Sequence, residues 1–334
     1  LLTPITPKEM KQLLLFALCM MSLALQGQTK KNDLRFNAKG EFKIVQFTDV
    51  HYVPAKVEES KKALECIDNV LDAEKPDLVV FTGDMIYGAP AEEAMRTVMQ
   101  RVADHKIPFV ATLGNHDDEQ DMKRPDLYRL ISSMPYNLQL AEHSDFVVPV
   151  RASGEAKTAA LLYLLDSHAY SPLSDAKGYA WMQSDQINWY RTQSRQYKEQ
   201  NDSVPLPALA FFHIPVPEFS QAASNEGAIL RGNRMERVCS PVLNSGLFTA
   251  IKEEGDVMAC FVGHDHDNDY AVMWYNVLLA YGRYTGGNTV YNHLPNGARV
   301  IVLKEGKRSF DTWVRLRTGE TEQLTRYPDS YIKK

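Results

Sequence analysis

Histidine, aspartate and asparagine side chains follow five separate hydrophobic runs of the sequence. Asp49 and His51 follow the first run, and Asp84 follows the second. In chain order, the other three runs are followed by Asn115 with His116, by His213, and by His264 with His266. Such groups bind first-row transition metals or transfer protons. Each alone could be a helix cap, a turn residue or a packed histidine, but turn chemistry would not select imidazole and carboxylate at five strand ends.

Seven of these side chains offer nitrogen or oxygen ligands and none offers a thiolate, which suits a pair of first-row ions, with iron, manganese or zinc all plausible. If one carboxylate bridges, the two ions lie about 3.5 to 4 Å apart, the arrangement that activates water and holds a phosphoryl group. The candidate metal ligands are Asp49, His51, Asp84, Asn115, His213, His264 and His266.

The elements that must position these residues are strands alternating with helices. "FKIVQFTD", "DLVVFTGD" and "PFVATLGN" are typical of buried strands, and amphipathic patterns predict helices over 60–75 and 91–105 between them. Ligands gather at the carboxyl ends of strands in such folds. The C-terminal part alternates as antiparallel strands. We therefore predict an α/β fold of two packed mixed β-sheets flanked by helices, in a single domain.

Composition excludes several classes of protein. The chain has 334 residues, of which 44% are hydrophobic and 24% charged, which is typical of a globular domain. A net charge of −5 with no basic stripe gives no support for nucleic-acid binding. Beyond the N-terminal segment, three widely spaced cysteines indicate neither a zinc knuckle nor a disulfide framework, and we expect small buried residues. These cysteines are Cys66, Cys239 and Cys260.

The N-terminus has the layout of a secretory signal peptide, with Lys11 followed by an apolar run from Leu13 to Leu25. The run is shorter than the roughly 20 residues of a membrane-spanning helix, so we expect no stable membrane span. Lipid attachment at Cys19 is disfavoured because Leu18 precedes it. We predict an exported, periplasmic or secreted protein. The predicted division is an upstream extension and signal peptide over 1–27, a polar segment over 28–40, one domain over 41–320 and a C-terminal tail over 321–334.

The blocks "DVH", "GDMIYG", "GNHDDE", "FFHIPVPE" and "GHDHDND" resemble, in the same order, the five blocks of the calcineurin-like metallophosphoesterases. "YGRYTGG" adds a resemblance to their short purple-acid-phosphatase-like branch. The resemblance implies a first metal held by Asp49, His51, Asp84 and His266. It implies a second held by Asp84, Asn115, His213 and His264, with Asp84 shared.

The resemblance also implies a reaction. A metal-bridging hydroxide would attack a small phosphorylated substrate without a covalent enzyme intermediate. His116 would not be a ligand but would give a proton to the leaving alkoxide or stabilise charge on the phosphoryl group. Phosphomonoesters are the leading substrate class. A phosphodiesterase acting on nucleotides or lipid headgroups, and a non-catalytic protein pinned by metal, stay as alternatives. The sequence does not indicate the oligomeric state.

One position departs from purple acid phosphatases, whose first block has glycine where this chain has His51 and whose iron(III) is bound by a tyrosine at the position of Tyr87. We favour His51 as the ligand, because it lies two residues after Asp49 at the same strand end. We therefore predict a colourless or weakly coloured enzyme.

Other polar residues near these blocks are assigned supporting roles. The acidic run Asp117, Asp118 and Glu119 is interpreted as the opening of a helix, where it favours the helix dipole, rather than as a third metal site. The acidic residues around the last two histidines are expected to orient them. Arginines between Phe219 and Pro241 and the aromatic residues of 179–189 could overhang the metals. The arginines are Arg231, Arg234 and Arg237, and the acidic residues with their asparagine are Asp265, Asp267, Asn268 and Asp269. Histidines outside the blocks, expected at the surface or in packing, are His105, His143, His168 and His293.

Overall fold

The computed structural model describes residues 33–141, 143–288 and 293–333. Their strands form two β-sheets that face each other, with helices on the two outer faces. This arrangement confirms the predicted α/β fold of two packed mixed sheets flanked by helices. The predicted signal peptide and Cys19 lie outside the described residues.

The first sheet has six strands and carries the first three ligand-bearing strand ends. Its order is β13-β12-β11-β1-β2-β3, with β1, β2 and β3 parallel and the others antiparallel. The strands are β1 (Glu41–Phe47), β2 (Leu78–Thr82), β3 (Phe109–Thr112), β11 (Gly297–Lys304), β12 (Phe310–Leu316) and β13 (Thr321–Tyr327). Helices α1 (Val57–Glu74), α2 (Ala91–Asp104) and α3 (Arg124–Ser133) cover its outer face.

The second sheet has seven strands in the order β4-β5-β6-β8-β10-β9-β7, with β5, β6, β8 and β10 parallel. Its strands are β4 (Phe146–Arg151), β5 (Thr158–Leu164), β6 (Ala208–Phe211), β7 (Leu230–Arg231), β8 (Val257–Val262), β9 (Ala271–Trp274) and β10 (Val277–Tyr281). Its outer face is covered by α4 (Ser184–Glu199), α5 (Glu218–Ala223) and α6 (Leu247–Glu254). A 3-10 turn at Asp329–Tyr331 follows β13.

The inner faces of the sheets meet in a core of aliphatic and aromatic side chains. Ile44 of β1 and Val80 of β2 belong to the same buried cluster as Phe211 of β6 and Phe261 of β8. Residues on the opposite faces of these strands, such as Val45, pack against helices instead. Because both faces are buried, the strands are continuous hydrophobic runs rather than alternating patterns. This packing brings the carboxyl ends of strands from both sheets to one edge of the sandwich.

Segments near both ends of the described chain contribute to the two sheets and their core. Residues 321–327, assigned to a C-terminal tail, form the edge strand β13, and Leu34 and Phe36 of the predicted polar segment are buried in the core between the sheets. Helix α3 and strand β4 were not predicted, because their sequences are rich in polar residues or interrupted by proline. Within the described ranges, no helix combines the length and apolar character needed to cross a membrane.

Candidate metal centre

The predicted ligands follow the carboxyl ends of five strands and lie close together. Asp49 and His51 follow β1, Asp84 follows β2 and Asn115 follows β3, all in the first sheet. The second sheet supplies His213 after β6, and His264 and His266 after β8. All seven side chains are buried, with at most 7% of each residue exposed. The site therefore lies between the two sheets rather than within either of them.

The first of two ligand clusters consists of Asp49, His51 and His266, whose candidate ligand atoms all lie within 4.8 Å of one another. Asp49 Oδ1 is 3.4 Å from His266 Nε2 and 3.9 Å from His51 Nε2. Both ring nitrogens of His51 are buried and have no hydrogen-bond partner among the described residues. Burying a polar group without a partner is costly, so these contacts fit a cation between the three side chains.

The second cluster consists of Asp84, His213 and His264, again with ligand atoms within 4.8 Å of one another. His213 Nε2 lies 3.2 Å from Asp84 Oδ2, 3.2 Å from Asn115 Oδ1 and 3.3 Å from His264 Nδ1. His213 Nδ1 is hydrogen-bonded to the Thr82 carbonyl oxygen at 2.8 Å, which turns Nε2 toward the cluster. Such an outer contact fixes the ring of a metal ligand.

Asp84 joins the two clusters. Its Oδ2 atom is 3.2 Å from His213 Nε2 in the second cluster and 3.6 Å from His51 Nε2 in the first. Its other oxygen, Oδ1, accepts the backbone N–H of His116 at 2.8 Å. One carboxylate oxygen facing both clusters is the position that a bridging ligand needs. The residues present therefore fit a pair of metal ions with nitrogen and oxygen ligands.

Opposite charges balance within the buried site. Burial alone would lower the pKa of His51, but Asp49 and Asp84 raise it to about 9. For His213, burial is likewise outweighed by Asp84, which raises the pKa to about 9. Burial and the neighbouring His213 lower the pKa of His264 to about 3. The lone pair of His264 is thus available to a metal. At His51 and His213 a metal ion must first displace a proton.

The backbone of the ligand loops is unusual. Asp49, His51, Asp84 and His264 have φ angles of 52°, 49°, 52° and 79°, in the left-handed region that non-glycine residues rarely adopt. Backbone strain of this kind concentrates at functional sites. Gly114 permits the close approach of two loops, because a Cβ there would overlap the backbone and carboxylate of Asp84.

His116 lies at the rim of the centre, with 27% of its side chain exposed. Its Nδ1 atom is 2.7 Å from Glu119 Oε2, and its ring packs edge-on against Tyr87 and His51. Since Nδ1 is engaged by Glu119, Nε2 is the nitrogen that can exchange a proton with a bound molecule. Tyr87 is 37% exposed, and its ring centroid is 5.2 Å from that of His51. His51 lies in the first cluster; that it ligates in place of Tyr87 stays a prediction.

The interpretation of the acidic run as a helix opening is wrong, because α3 begins only at Arg124. Asp117 is instead fully buried and accepts the backbone N–H groups of Asp84, Gly114 and Ile86 at 2.8 to 3.0 Å. Burial and the nearby Asp84 carboxylate raise the pKa of Asp117 to about 6. Its role is to hold the loops after β2 and β3 together.

The acidic residues around His264 and His266 bind other segments. Asp265 accepts the Tyr281 hydroxyl at 2.6 Å and the backbone N–H of Cys239. Asp267 is paired with His293, and Asp269 with the buried Arg283. These contacts hold the loop over 233–239 and strand β10 at this edge; that the acidic residues also orient the two imidazoles stays a prediction.

The remaining supporting residues divide between the rim and more distant places. The guanidinium groups of Arg231 and Arg234 bind the carbonyl oxygens of Ser330 and Ala223. Arg237 is exposed. Burial raises the pKa of Tyr179 to about 12, and the positive charge of Arg237 acts in the opposite direction. Of the aromatic residues of 179–189, Tyr179 packs edge-on against His264 with ring centroids 4.3 Å apart, whereas Trp189 packs against Tyr163 away from the centre.

Residues outside the predicted site are mostly where the sequence indicates. Cys66 and Cys260 are buried free thiols, whereas Cys239 is only half-buried. His143 and His293 are exposed, and His105 and His168 are half-buried. Tyr170, which no sequence pattern indicates, stacks on Tyr179, accepts a hydrogen bond from Asn115 Nδ2 and donates one to Glu119. It lies in an irregular loop with no motif to reveal it.

The chain is similar to known proteins in sequence and in fold. The family model of calcineurin-like phosphoesterases matches residues 42–268. "Probable inactive purple acid phosphatase 29" of Arabidopsis thaliana is 33% identical, over 90% of this chain and 88% of its own length. "Phosphatase DCR2" of Saccharomyces cerevisiae is 31% identical, over 85% of this chain and 55% of its own length. A solved dimetal phosphatase from Danio rerio shares the fold, with a TM-score of 0.59 and 14% identity over 85% of this chain and 99% of its own.

Proposed function

Because this chain belongs to the calcineurin-like phosphoesterase family and to its purple-acid-phosphatase-like branch, we propose that it hydrolyses phosphomonoesters at a two-metal centre. The observation that carries the proposal is the position of Asp84, whose Oδ2 faces His213 and His51 at 3.2 and 3.6 Å. A centre built for one ion would not need a carboxylate oxygen between two sets of imidazoles.

In this proposal Asp49, His51 and His266 would hold one ion, Asn115, His213 and His264 would hold the other, and Asp84 would be shared between them. The chemistry that such a pair supplies is polarisation of the phosphoryl group and activation of water for in-line attack. Metal identity is open between iron, manganese and zinc. The buried ligands exclude bulk water from one side of the centre, so the substrate approaches from the rim that carries His116.

His116 acts on the leaving group. Its ring is partly exposed, while its backbone N–H binds Asp84 Oδ1 and its Nδ1 binds Glu119. Both contacts hold the imidazole at the edge of the centre with Nε2 available. As the bond between phosphorus and the leaving oxygen breaks, the Nε2 proton of the doubly protonated ring passes to that oxygen, and the ring keeps its Nδ1 proton toward Glu119. The proton then returns to the imidazole from solvent.

The names of the plant relatives raise a second candidate, a non-catalytic protein that keeps the metal centre as a structural element. "Probable inactive" is part of the names of those Arabidopsis thaliana proteins. Against this candidate, the present chain retains every predicted ligand together with His116. A phosphodiesterase differs from the leading proposal only in the room that the site leaves for a second ester group.

The test is a phosphate-release assay on the full chain, coupled to elemental analysis for iron, manganese and zinc. We expect two ions per chain and faster hydrolysis of p-nitrophenyl phosphate than of its bis-ester. Asp84→Asn should lose at least about 100-fold in kcat/KM on p-nitrophenyl phosphate. His116→Gln should lose at least about 100-fold on glycerol 2-phosphate, whose alkoxide leaving group needs a proton. The exposed Asp202→Asn and His143→Gln are the matched controls. Full metal content without hydrolysis of any monoester would overturn the proposal, and preference for the bis-ester would favour the phosphodiesterase.

We further propose that the protein is exported by the signal peptide predicted within 1–27 and acts on a small phosphorylated molecule outside the cytoplasm. Its support is the apolar run from Leu13 to Leu25 after Lys11. N-terminal sequencing of the protein from fractionated cells tests this. An uncleaved chain in the cytoplasmic fraction would contradict it.

A further inference from the structure

Glu119 contacts two residues at the rim through its two carboxylate oxygens. Oε2 lies 2.7 Å from His116 Nδ1, and Oε1 accepts the Tyr170 hydroxyl at 2.7 Å. An ionised carboxylate only accepts hydrogen bonds, so it fixes the proton position on each partner. The Tyr170 proton must point to Glu119, and the His116 ring must carry a proton on Nδ1.

The same contact determines how Asn115 is oriented. The Tyr170 hydroxyl uses its one proton in the hydrogen bond to Glu119. Its oxygen can therefore only accept a hydrogen bond from Asn115, whose Nδ2 lies 3.2 Å away. This contact turns Asn115 Oδ1 the other way, to 3.2 Å from His213 Nε2 in the second cluster. An amide binds a metal through its oxygen, so the opposite rotamer would present the wrong atom.

The packing of the Tyr170 ring supports this arrangement. The ring of Tyr170 is held by stacking on Tyr179 at 5.9 Å between centroids. The hydroxyl is therefore fixed from the ring side and from the Glu119 side.

We propose that Glu119 is a positioning residue that prepares both halves of the reaction, holding His116 to protonate the leaving group and, through Tyr170, holding Asn115 with its oxygen toward the second metal. This inference rests on the proposed function for its first half. The second half concerns metal binding alone and stands without catalysis. Hydrogen bonds thus join His116, Glu119, Tyr170 and Asn115 in series.

The first experiment compares leaving groups in Glu119→Gln. Glu119 accepts from His116 through Oε2 and from Tyr170 through Oε1. In glutamine one of these two positions becomes an NH₂ group, which cannot accept, so one of the two bonds is lost. p-Nitrophenolate leaves without a proton, whereas the alkoxide of glycerol 2-phosphate needs one. We expect kcat to fall about 10- to 100-fold on glycerol 2-phosphate and less than about threefold on p-nitrophenyl phosphate. Glu93→Gln, exposed on α2, is the matched control.

The second experiment measures metal binding by Tyr170→Phe. Chelator-stripped full chain is titrated with Zn²⁺ in competition with a coloured chelator. Loss of the hydroxyl leaves Asn115 free to rotate, so we expect the weaker of the two Zn²⁺ affinities to fall about tenfold. Tyr275→Phe, 67% exposed between β9 and β10, is the control and should bind like the parent chain.

The outcomes separate the inference from the proposed function. An equal loss on both substrates in Glu119→Gln, or no loss on either, would overturn the first half. Unchanged Zn²⁺ affinity in Tyr170→Phe would overturn the second half. If the parent chain hydrolyses nothing, the proposed function fails and with it the first half, while the Zn²⁺ titration still decides the second. The substituted side chains are partly exposed, and thermal melting checks that each variant is folded.

Discussion

Replacing Asp117 tests whether a buried carboxylate organises the metal-binding loops. The side chain is fully buried and accepts three backbone N–H groups, from Asp84 at 2.9 Å, Gly114 at 2.8 Å and Ile86 at 3.0 Å. In Asp117→Ala all three donors lose their acceptor. Each unsatisfied buried donor costs about 1 to 3 kcal/mol, so the expected loss is about 3 kcal/mol or more. That is a large share of the 5 to 15 kcal/mol by which domains are typically stable.

Asp117→Asn gives an intermediate result. The amide oxygen can take the place of Oδ2, which accepts from Asp84 and Gly114, while the amide nitrogen then faces the donor of Ile86. One bond of three is lost, so we expect a loss of about 1 to 3 kcal/mol. Asp118→Ala is the neighbouring control. Its carboxylate is partly exposed and bonds only Arg124 among the described contacts, so the expected loss is about 1 kcal/mol or less.

The assay is urea unfolding of the metal-free chain at pH 7, with the free energy of unfolding obtained by linear extrapolation. We expect the loss in free energy of unfolding to decrease in the order Asp117→Ala, Asp117→Asn, Asp118→Ala. An Asp117→Ala variant within about 1 kcal/mol of the parent would refute it, because three buried donors would then have found other partners. A second readout is the metal content of the loaded protein, which should fall in Asp117→Ala since Asp84 loses its support.

The remaining predictions concern the colour, the first cluster and the acid stability. Iron-loaded protein should have the same visible spectrum in Tyr87→Phe as in the parent, and a strong band that disappears in the variant would identify Tyr87 as a ligand. Gly263→Ala should lose metal, measured by elemental analysis, because a Cβ there would overlap Thr48 Oγ1 and approach Asp49 Oδ2 to 2.7 Å; retention of both ions would contradict this. Far from the centre, burial would raise the pKa of Glu74, but hydrogen bonds from neighbouring donors hold it below its ordinary value of 4.5. The stability that ionised Glu74 contributes is present above about pH 4.5 and is lost as the pH falls through its lower pKa in the folded state. The free energy of urea unfolding, measured between pH 3 and 6, should therefore depend less on pH in Glu74→Gln than in the parent.

Much of the site could be predicted because its ligands lie directly after hydrophobic runs. β1, β2 and β3 follow one another with helical crossovers, so local sequence indicates that Asp49, Asp84 and Asn115 share an edge. The relation between the sheets could not be predicted in the same way. The first cluster joins Asp49 to His266, more than 200 residues further along the chain, and only the packing of the two sheets brings them together.

The misinterpreted residues share a physical cause. The acidic run after His116 has the composition of a helix opening, but the loops after β2 and β3 contain backbone N–H groups that no strand pairs. Asp117 satisfies those donors, and this demand is invisible until the loops are folded. Tyr170 was missed for the same reason, since its hydroxyl acquires a role only through partners from a distant loop, Asn115 and Glu119.

The left-handed backbone at the ligand residues is imposed by tertiary contacts. Asp49 N–H donates to the Gly83 carbonyl oxygen, and His51 N–H donates to that of Asp84, each at 3.0 Å, so the two loops continue the pairing of β1 and β2 past the strand ends. Strained φ angles cost about 1 to 3 kcal/mol each and persist only where the surroundings over-determine them. Here the hydrogen bonds between the loops hold the carboxylates and imidazoles in their clusters, so the centre is largely preformed by the fold. Metal binding therefore does not require the further loss of conformational entropy that ordering these loops would cost.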